Sequence, residues 1–171
     1  MKKVLGKSFF ERDTCTVARE LLGKYLVRKI RGKEIALMIT EVEAYDGFRD
    51  RASHAHKGKT ERNAVMFGEA GRWYVYLVYG MYEMLNIVTG AYGYPAAVLI
   101  RGAGEVCGPG RLTALMHITR AFNDKRTVRT NGLWIEDRGV IIPEQKIKKT
   151  ARIGVHYAGV WAKKKYRFVV K

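Results

Sequence analysis

A run of aromatic and β-branched residues, Arg72 to Tyr79, constrains the fold of this chain most strongly. Such residues favour extended strands, where their side chains pack on a pleated surface. Gly80 interrupts the run, and an apolar stretch resumes from Leu85 to Val88. The pattern predicts two strands joined by a hairpin or bulge near residues 79–82.

Further strands are predicted on both sides of this hairpin. Residues 25–30 and 35–45 are strand-like and are separated by Arg31-Gly32-Lys33, a hairpin signal with glycine in the turn. Another strand is predicted over residues 96–100.

Two helices complete the pattern. Asp13 is a predicted N-cap for a helix that ends at Gly23, and Gly108-Pro109-Gly110 opens a second helix with its body over Leu112 to Ile118. Strands and helices mix without regular βαβ alternation. We therefore expect one α+β domain covering residues 1–171.

The charge of the chain indicates its class of partner. Lysine and arginine number 32 against 16 aspartate and glutamate residues, a formal net charge of +16. Such a surface attracts polyanions, with nucleic acid the commonest partner and anionic membrane the second. A basic surface that serves only solubility is the alternative.

Membrane and secreted classes fit the sequence poorly. The longest stretch without a charged residue, 84–100, falls short of the roughly 20 residues that a membrane-spanning helix needs. No apolar signal-peptide segment follows Lys2 and Lys3. We expect an intracellular protein that does not associate with membranes, located in the cytoplasm or nucleoid, or in the nucleus of a eukaryote.

Metal and disulfide chemistry are also disfavoured. Cys15 and Cys107 are far apart and form no C-x-x-C pair, so we expect two buried, unpaired thiols. His54 and His56 lack a third ligand nearby, and we expect no metal and no cofactor.

Two carboxylates interrupt the apolar strand that ends at Tyr45. Glu41 and Glu43 are two positions apart, so they project to one face with Cα atoms roughly 6.5–7 Å apart, and Tyr45 follows on that face. Burying them is costly unless they are paired, hydrogen-bonded or facing a cleft. The alternative is a solvated face on which lysine or arginine bridges the carboxylates.

Tyrosines concentrate around the predicted hairpin, at Tyr74, Tyr76, Tyr79 and Tyr82. Every buried phenol needs a hydrogen-bond partner, so an ordinary core would use Val, Ile or Leu instead. Aromatic faces on a basic surface suit the stacking of nucleobases. A tyrosine-rich core or protein interface is the alternative.

With these residues the chain closely resembles the alkyladenine (3-methyladenine) DNA glycosylases, in order and over almost its whole length. The matching motifs are Glu41-Val42-Glu43-Ala44-Tyr45, His54, Arg62-Asn63, Met66-Phe67, Tyr74-Val75-Tyr76, Tyr79-Gly80-Met81-Tyr82, Asn86, Val98-Leu99-Ile100-Arg101, Gly108-Pro109, Ala151-Arg152-Ile153-Gly154-Val155 and Ala158-Gly159-Val160-Trp161-Ala162.

The resemblance implies a curved, mostly antiparallel sheet flanked by helices, with a protruding β-hairpin that intercalates into DNA through Tyr79 and Met81. It implies a monomer that acts on double-stranded DNA containing alkylated or deaminated purines. The flipped purine would lie between the Tyr45 ring and the rings of His54 and Tyr76.

Catalytic roles follow from the same resemblance. Glu43 would activate a water that Arg101 and the backbone carbonyl of Ile153 position, and hydrolysis of the N-glycosidic bond would leave an abasic site without a lyase step. Glu41 would be structural. Two further sets of contacts are expected: Asn86 would exclude the amino group of guanine, and Lys59, Thr60 and Arg111 would contact phosphates.

Two other functions are compatible with the residues alone. A nucleic-acid-binding module without catalysis would use the same basic face and tyrosines. A hydrolase of soluble glycosides would use Glu41 and Glu43 as its acid and base.

Overall fold

The computed structural model describes residues 2–171, and its frame is a ten-stranded sheet. Seven strands follow one another in the order β1-β8-β2-β3-β6-β5-β4, while β10 pairs with β3 and β9, and β7 pairs with β6. All of these pairings are antiparallel, which confirms the α+β class and the mostly antiparallel sheet. The strands are β1 Lys3–Val4, β2 Tyr25–Ile30, β3 Lys33–Asp46, β4 Trp73–Val78, β5 Tyr82–Val88, β6 Ala96–Ala103, β7 Val106–Cys107, β8 Leu133–Asp137, β9 Ile147–Thr150 and β10 Arg167–Val170.

Strand β3 is the longest strand and holds the two halves of the sheet together. Its first residues pair with β2, and its last residues pair with β6 and β10. The register against β6 shifts around Glu41, an irregularity of the kind that bends a strand. This bend lies beside the two carboxylates.

Three α-helices and several short 3₁₀ helices cover the sheet. Asp13 caps the second α-helix as predicted, because its side chain accepts a hydrogen bond from the Thr16 N–H at 2.8 Å. The third helix ends at Leu115, so the predicted extension to Ile118 is wrong: His117 adopts a left-handed φ of 48° that helical geometry does not allow. The helices are α1 Lys7–Phe10, α2 Thr14–Leu21 and α3 Pro109–Leu115, and the 3₁₀ helices are His54–Lys57, Ala64–Phe67, Arg120–Phe122, Arg129–Asn131, Glu144–Lys146 and His156–Lys163.

The predicted hairpin is formed by β4 and β5, and alternate side chains of β4 belong to two different apolar clusters. Trp73 and Val75 pack into the main apolar core. Tyr74 and Tyr76 belong to a smaller cluster that contains Ala55 and Met66. Because successive side chains point to opposite faces of a strand, β4 supports the core with one face and carries a tyrosine pair on the other.

Both cysteines are free, as expected, but their predicted burial is only partly correct. Cys15 packs against the main core. Cys107 is exposed, because it lies on the two-residue strand β7, which pairs only with β6. None of the helices formed by residues 2–171 has both the length and the apolar character that crossing a membrane requires.

Candidate active site

The Glu43 carboxylate is the buried polar centre of the sheet, with 0% of the residue exposed. Its Oε1 accepts a hydrogen bond from the Ile153 backbone N–H at 2.7 Å, and its Oε2 accepts one from the Tyr45 hydroxyl at 2.8 Å. The Arg101 Nε lies 3.5 Å from Oε1. Glu43 is therefore desolvated, oriented by two donors and close to one cation.

Glu41 shares this face of β3, as the i, i+2 spacing predicted, but it has different partners. Its Oε1 accepts hydrogen bonds from Arg101 Nε at 2.8 Å and from Arg167 Nε at 2.7 Å. Both carboxylates are buried, so the alternative of a solvated strand face is wrong, although arginine does bridge Glu41 as that alternative expected. Arg101 lies between the two carboxylates and contacts both.

The pKa values of the two carboxyls move in opposite directions. Burial raises the pKa of Glu43, and Arg101, the Ile153 N–H and the Tyr45 hydroxyl oppose that rise without cancelling it. Burial also acts to raise the pKa of Glu41, but hydrogen bonds and charge from Arg167 and Arg101 outweigh it and leave that pKa lowered. Glu41 is thus held as an anion, whereas the carboxyl of Glu43 takes up a proton more readily than an unperturbed glutamate.

A cavity of about 330 Å³ opens beside these groups. This volume lies within the range of ligand pockets. Tyr45, His54 and Tyr76 all contribute to it, and so do Asn86, Arg101 and Ile153. Every residue predicted for base binding and catalysis therefore lines the cavity, except Glu43. Glu43 lies directly behind the lining and contacts Tyr45, Arg101 and Ile153. The other lining residues are Ala52, Met66, Tyr74, Val78, Tyr79, Met84, Leu99, Pro109, Gly154, Val155 and Tyr157.

Aromatic rings form one wall of the cavity. The Tyr74 and Tyr76 ring centroids are 5.1 Å apart, and the His54 ring centroid lies 4.5 Å from that of Tyr76. His54 Nδ1 is 2.9 Å from the Tyr74 hydroxyl, which leaves the other ring nitrogen free for a ligand. Partial burial and the neighbouring Arg62 lower the pKa of His54, which favours a neutral imidazole at neutral pH.

The segment that carries His54 is held by two small polar side chains. The Ser53 hydroxyl caps the 3₁₀ helix His54–Lys57 by accepting from the Ala55 N–H at 3.2 Å. Asn63 donates from its amide nitrogen to the carbonyls of His54 and Gly58, each at 3.0 Å. Asn63 also belongs to the motifs of the resemblance. Its two hydrogen bonds explain why an amide side chain stands at this position.

The turn between β4 and β5 borders the cavity, because Val78 and Tyr79 line it. Tyr79 is 86% exposed and Met81 is 67% exposed. Tyr79 has a left-handed φ of 53° and Gly80 one of 69°, as tight hairpin turns require. Asn86, lower on β5, is buried and donates to the carbonyls of Tyr74 and Met84 at 3.1 and 3.3 Å, so its position in the wall is fixed.

The three residues predicted to contact phosphates lie outside the cavity. Lys59 borders a neighbouring surface groove, and its Nζ lies 5.8 Å from the centroid of the Phe67 ring. Thr60 is exposed and exchanges hydrogen bonds with Asn63, and Arg111 is exposed on α3. Their role in DNA binding stays a prediction. Among residues 2–171 there is no group of three His, Cys, Asp or Glu side chains that could hold a metal ion.

Sequence reasoning missed three residues that support the site: Asp50, Arg152 and Arg167. Arg152 and Asp50 form a fully buried bidentate ion pair, and Arg167 holds Glu41. Arg152 stands in the Arg-Ile-Gly motif, so its position was marked but not its role. Asp50 lies in a charged stretch without periodicity and carries no local signal.

Comparison with known proteins identifies the family of this chain. Residues 8–107 and 105–171 match the family described as Methylpurine-DNA glycosylase (MPG). A protein of Methanocella arvoryzae named "Putative 3-methyladenine DNA glycosylase" is 46% identical over 98% of this chain and 92% of its own length. Proteins of the same name from Legionella pneumophila strain Paris (45% identical, over 100% of this chain and 96% of theirs) and Anaeromyxobacter dehalogenans strain 2CP-1 (44%, over 98% and 82%) are also similar. The chain belongs to the methylpurine-DNA glycosylase family.

Proposed function

We propose that this chain is one monofunctional DNA glycosylase domain of base excision repair, which acts as a monomer on the DNA inside the cell. It flips an alkylated or deaminated purine out of the duplex and hydrolyses the N-glycosidic bond, leaving an abasic site. The observation that carries the proposal is the buried Glu43 carboxylate, whose hydrogen-bond partners Tyr45 and Ile153 line an aromatic cavity together with the exposed Tyr79 of the hairpin turn. Membership of the family supports DNA as the substrate.

In the proposed reaction Glu43 takes a proton from a water that attacks C1′ of the flipped nucleotide. The raised pKa of Glu43 suits a general base, because proton transfer is most efficient when the pKa of the base approaches the working pH. Positive charge develops on the sugar in the transition state, and the carboxylate stabilises it at short range. The bond breaks toward the purine, which leaves with the electron pair.

Two neighbours hold the water and the carboxylate in place. Arg101 contacts both Glu41 and Glu43 and lines the cavity, so its remaining donors are available to the water. The Ile153 N–H orients the Glu43 carboxylate, while the Ile153 carbonyl is proposed to accept a hydrogen bond from the water. Among residues 2–171 no lysine lines the cavity, which fits direct hydrolysis better than a covalent imine mechanism.

The rings account for the choice of base. A purine between Tyr45 on one side and His54 and Tyr76 on the other gains stacking energy, and a cationic alkylated purine gains further attraction to the ring faces. Asn86, fixed in the wall, would obstruct the amino group of guanine. Tyr79 and Met81 would fill the space in the duplex that the flipped nucleotide leaves.

Release of free base from defined duplexes tests this function. The protein is incubated with duplexes that carry hypoxanthine, 1,N6-ethenoadenine or 3-methyladenine, and free base is detected. Glu43→Gln should lower the rate by about 10²–10⁴-fold, the typical contribution of a general base, while duplex binding persists. Glu136→Gln removes a carboxylate that is equally buried but lies on β8, and it should keep the wild-type rate per folded molecule.

The outcomes separate the alternatives. Wild-type excision by Glu43→Gln would show that Glu43 is not the base, and DNA binding without base release by the wild type would favour the non-catalytic module. Cleavage of a nitrophenyl glycoside, with none of damaged DNA, would favour the glycoside hydrolase. Glu41 argues against that hydrolase, because two guanidinium groups hold it ionised and unable to serve as an acid.

A further inference from the structure

A buried ion pair lies beside the cavity and plays no part in the mechanism described above. The side chains of Asp50 and Arg152 are both fully buried, and Arg152 donates to both carboxylate oxygens, with Nη2 2.8 Å from Oδ1. Burial of two charges is costly unless the geometry is good and further hydrogen bonds are made. The contact is bidentate and both members make further hydrogen bonds, while the buried Arg152 Nε has no hydrogen-bond partner among residues 2–171.

The pair connects three separate segments of the chain. Arg152 Nη1 donates to the Ala44 carbonyl on β3 at 2.8 Å, and Nη2 donates to the Trp161 carbonyl at 3.3 Å. Asp50 accepts from the Asp46 N–H at 3.1 Å and from the Ala52 N–H at 3.0 Å. The guanidinium therefore has a fixed position relative to the strand that carries Glu43.

Two groups of the site depend on that position. Arg152 directly precedes Ile153, whose N–H lies 2.7 Å from Glu43 Oε1. The guanidinium carbon of Arg152 also lies 4.7 Å from the centroid of the Tyr45 ring. Tyr45 lines the cavity and Arg152 does not, so the cation contacts this ring from outside the space that a base would occupy.

We infer that the Asp50–Arg152 pair is a positioning element, which holds the Ile153 amide against the Glu43 carboxylate and fixes the Tyr45 ring. The role of the pair in catalysis rests on the proposed function. The placement of the Ile153 amide does not rest on it, since that placement is tested through the pKa of Glu43.

The Ile153 N–H favours the ionised form of Glu43, so a displaced amide leaves burial less opposed and the pKa of Glu43 rises further. A change in net charge near Glu43 would itself shift the pKa of Glu43. The test must therefore alter the geometry and keep the charge. The charged and titratable groups that face Glu43 are Glu41, Tyr45, Tyr76, Arg101, Arg152 and, across the strand pair with β10, Arg167.

Two variants keep the net charge and change the geometry of the ion pair. Arg152→Lys loses the bidentate fork and the simultaneous contacts to two carbonyls. Asp50→Glu lengthens the other partner. The matched controls are Arg138→Lys and Glu136→Asp, which alter the ion pair Arg138–Glu136. Arg138 likewise contacts a buried carboxylate, that of Glu136 at 2.7 Å, and its guanidinium carbon lies 4.3 Å from the centroid of the Tyr25 ring.

The pKa of Glu43 is measured by carboxyl ¹³C NMR, with its signal assigned from Glu43→Gln, and circular dichroism confirms folding. We expect a higher pKa of Glu43 in Arg152→Lys and Asp50→Glu than in the wild type, and no change in the controls. The single-turnover rate of base release should fall on the order of 10²-fold in the first two variants, as misplaced reacting groups cause. Either variant suffices if the other does not fold.

An unchanged pKa of Glu43 in a folded Arg152→Lys or Asp50→Glu protein would overturn the inference, and so would an equal shift in the controls. Lack of base release by the wild type would instead overturn the proposed function, with the NMR result still standing.

Discussion

At the scale of single residues, different hydrogen-bond partners distinguish two buried glutamates that lie two positions apart on one strand. Glu41 and Glu43 share a strand face and one arginine, yet Glu41 has a second arginine and Glu43 has a tyrosine hydroxyl and a backbone amide. The pKa of Glu41 is lowered and that of Glu43 is raised. Carboxyls whose pKa values are separated by their surroundings are suited to different roles, which agrees with the proposal that Glu43 is the general base and Glu41 is structural.

The raised pKa of Glu43 predicts the pH dependence of excision. A general base must be ionised, so the rate on a cationic base, which needs no protonation to leave, should fall as the pH decreases through the pKa of Glu43. That acid limb should lie at higher pH than the value of about 4.3 for an unperturbed glutamate. Single-turnover rates across the acidic range measure it. A limb at or below the unperturbed value would show that another group titrates.

The same shift predicts an effect on folding. A carboxyl whose pKa is raised in the folded state contributes stability below its unfolded pKa, and this contribution is lost as the pH rises through its folded pKa. Glu43→Gln cannot titrate, so its stability relative to the wild type should increase between acidic and neutral pH. Urea unfolding at both pH values checks the sign, and a constant difference between the two proteins would contradict it.

At the scale of elements, the hairpin of β4 and β5 was predictable because its signals are local. Alternation places Trp73 and Val75 in the core and Tyr74 and Tyr76 at the cavity. The pair of carboxylates on β3 was predictable for the same reason. The Asp50–Arg152 pair was not, since its members are 102 positions apart and no periodicity connects them. The end of α3 was mispredicted because the left-handed conformation of His117 has no sequence signal comparable to glycine.

Two substitutions at Tyr79, in the turn of this hairpin, distinguish the role of the backbone conformation from that of the tyrosine ring. Tyr79 has a left-handed φ, so Tyr79→Gly should relieve backbone strain, whereas Tyr79→Ala keeps it. Both variants remove the ring, and both should lose about 5- to 150-fold in excision from duplex DNA, since a stacked base contributes ~1–3 kcal/mol. Excision from single strands should fall less.

Comparison of the two variants identifies the cause of any loss. Thermal unfolding should show Tyr79→Gly to be the more stable of the two. Full duplex activity in Tyr79→Gly together with a loss in Tyr79→Ala would mean that the turn matters and the ring does not. Equal losses on duplex and single strands would assign Tyr79 another role.

At the scale of the whole molecule, charge and selectivity are separate properties. The net charge of +16 provides attraction to phosphates that is independent of sequence and of damage. The cavity offers rings, an amide and one arginine, so we expect a bound base to be selected by shape and stacking and not by the net charge of the protein. Affinity for DNA should therefore depend steeply on salt, while the preference for a lesion over a normal base should not.

Lys59 and Lys33 provide the test of that separation. Lys59 lies on the segment that follows the His54–Lys57 helix, whereas Lys33 begins β3, ten positions before Glu43 and hence about 33 Å away along an extended strand. On duplex DNA the slope of log K against log salt is about −0.9 per phosphate neutralised, so Lys59→Ala should make the slope shallower by about one. Lys33→Ala removes the same charge and should leave the slope unchanged. Fluorescence anisotropy with normal and damaged duplexes at several salt concentrations measures both quantities, and the ratio of the two affinities should stay constant. If both variants changed the slope equally, the phosphate affinity would come from the overall charge of the molecule and not from a contact near the cavity.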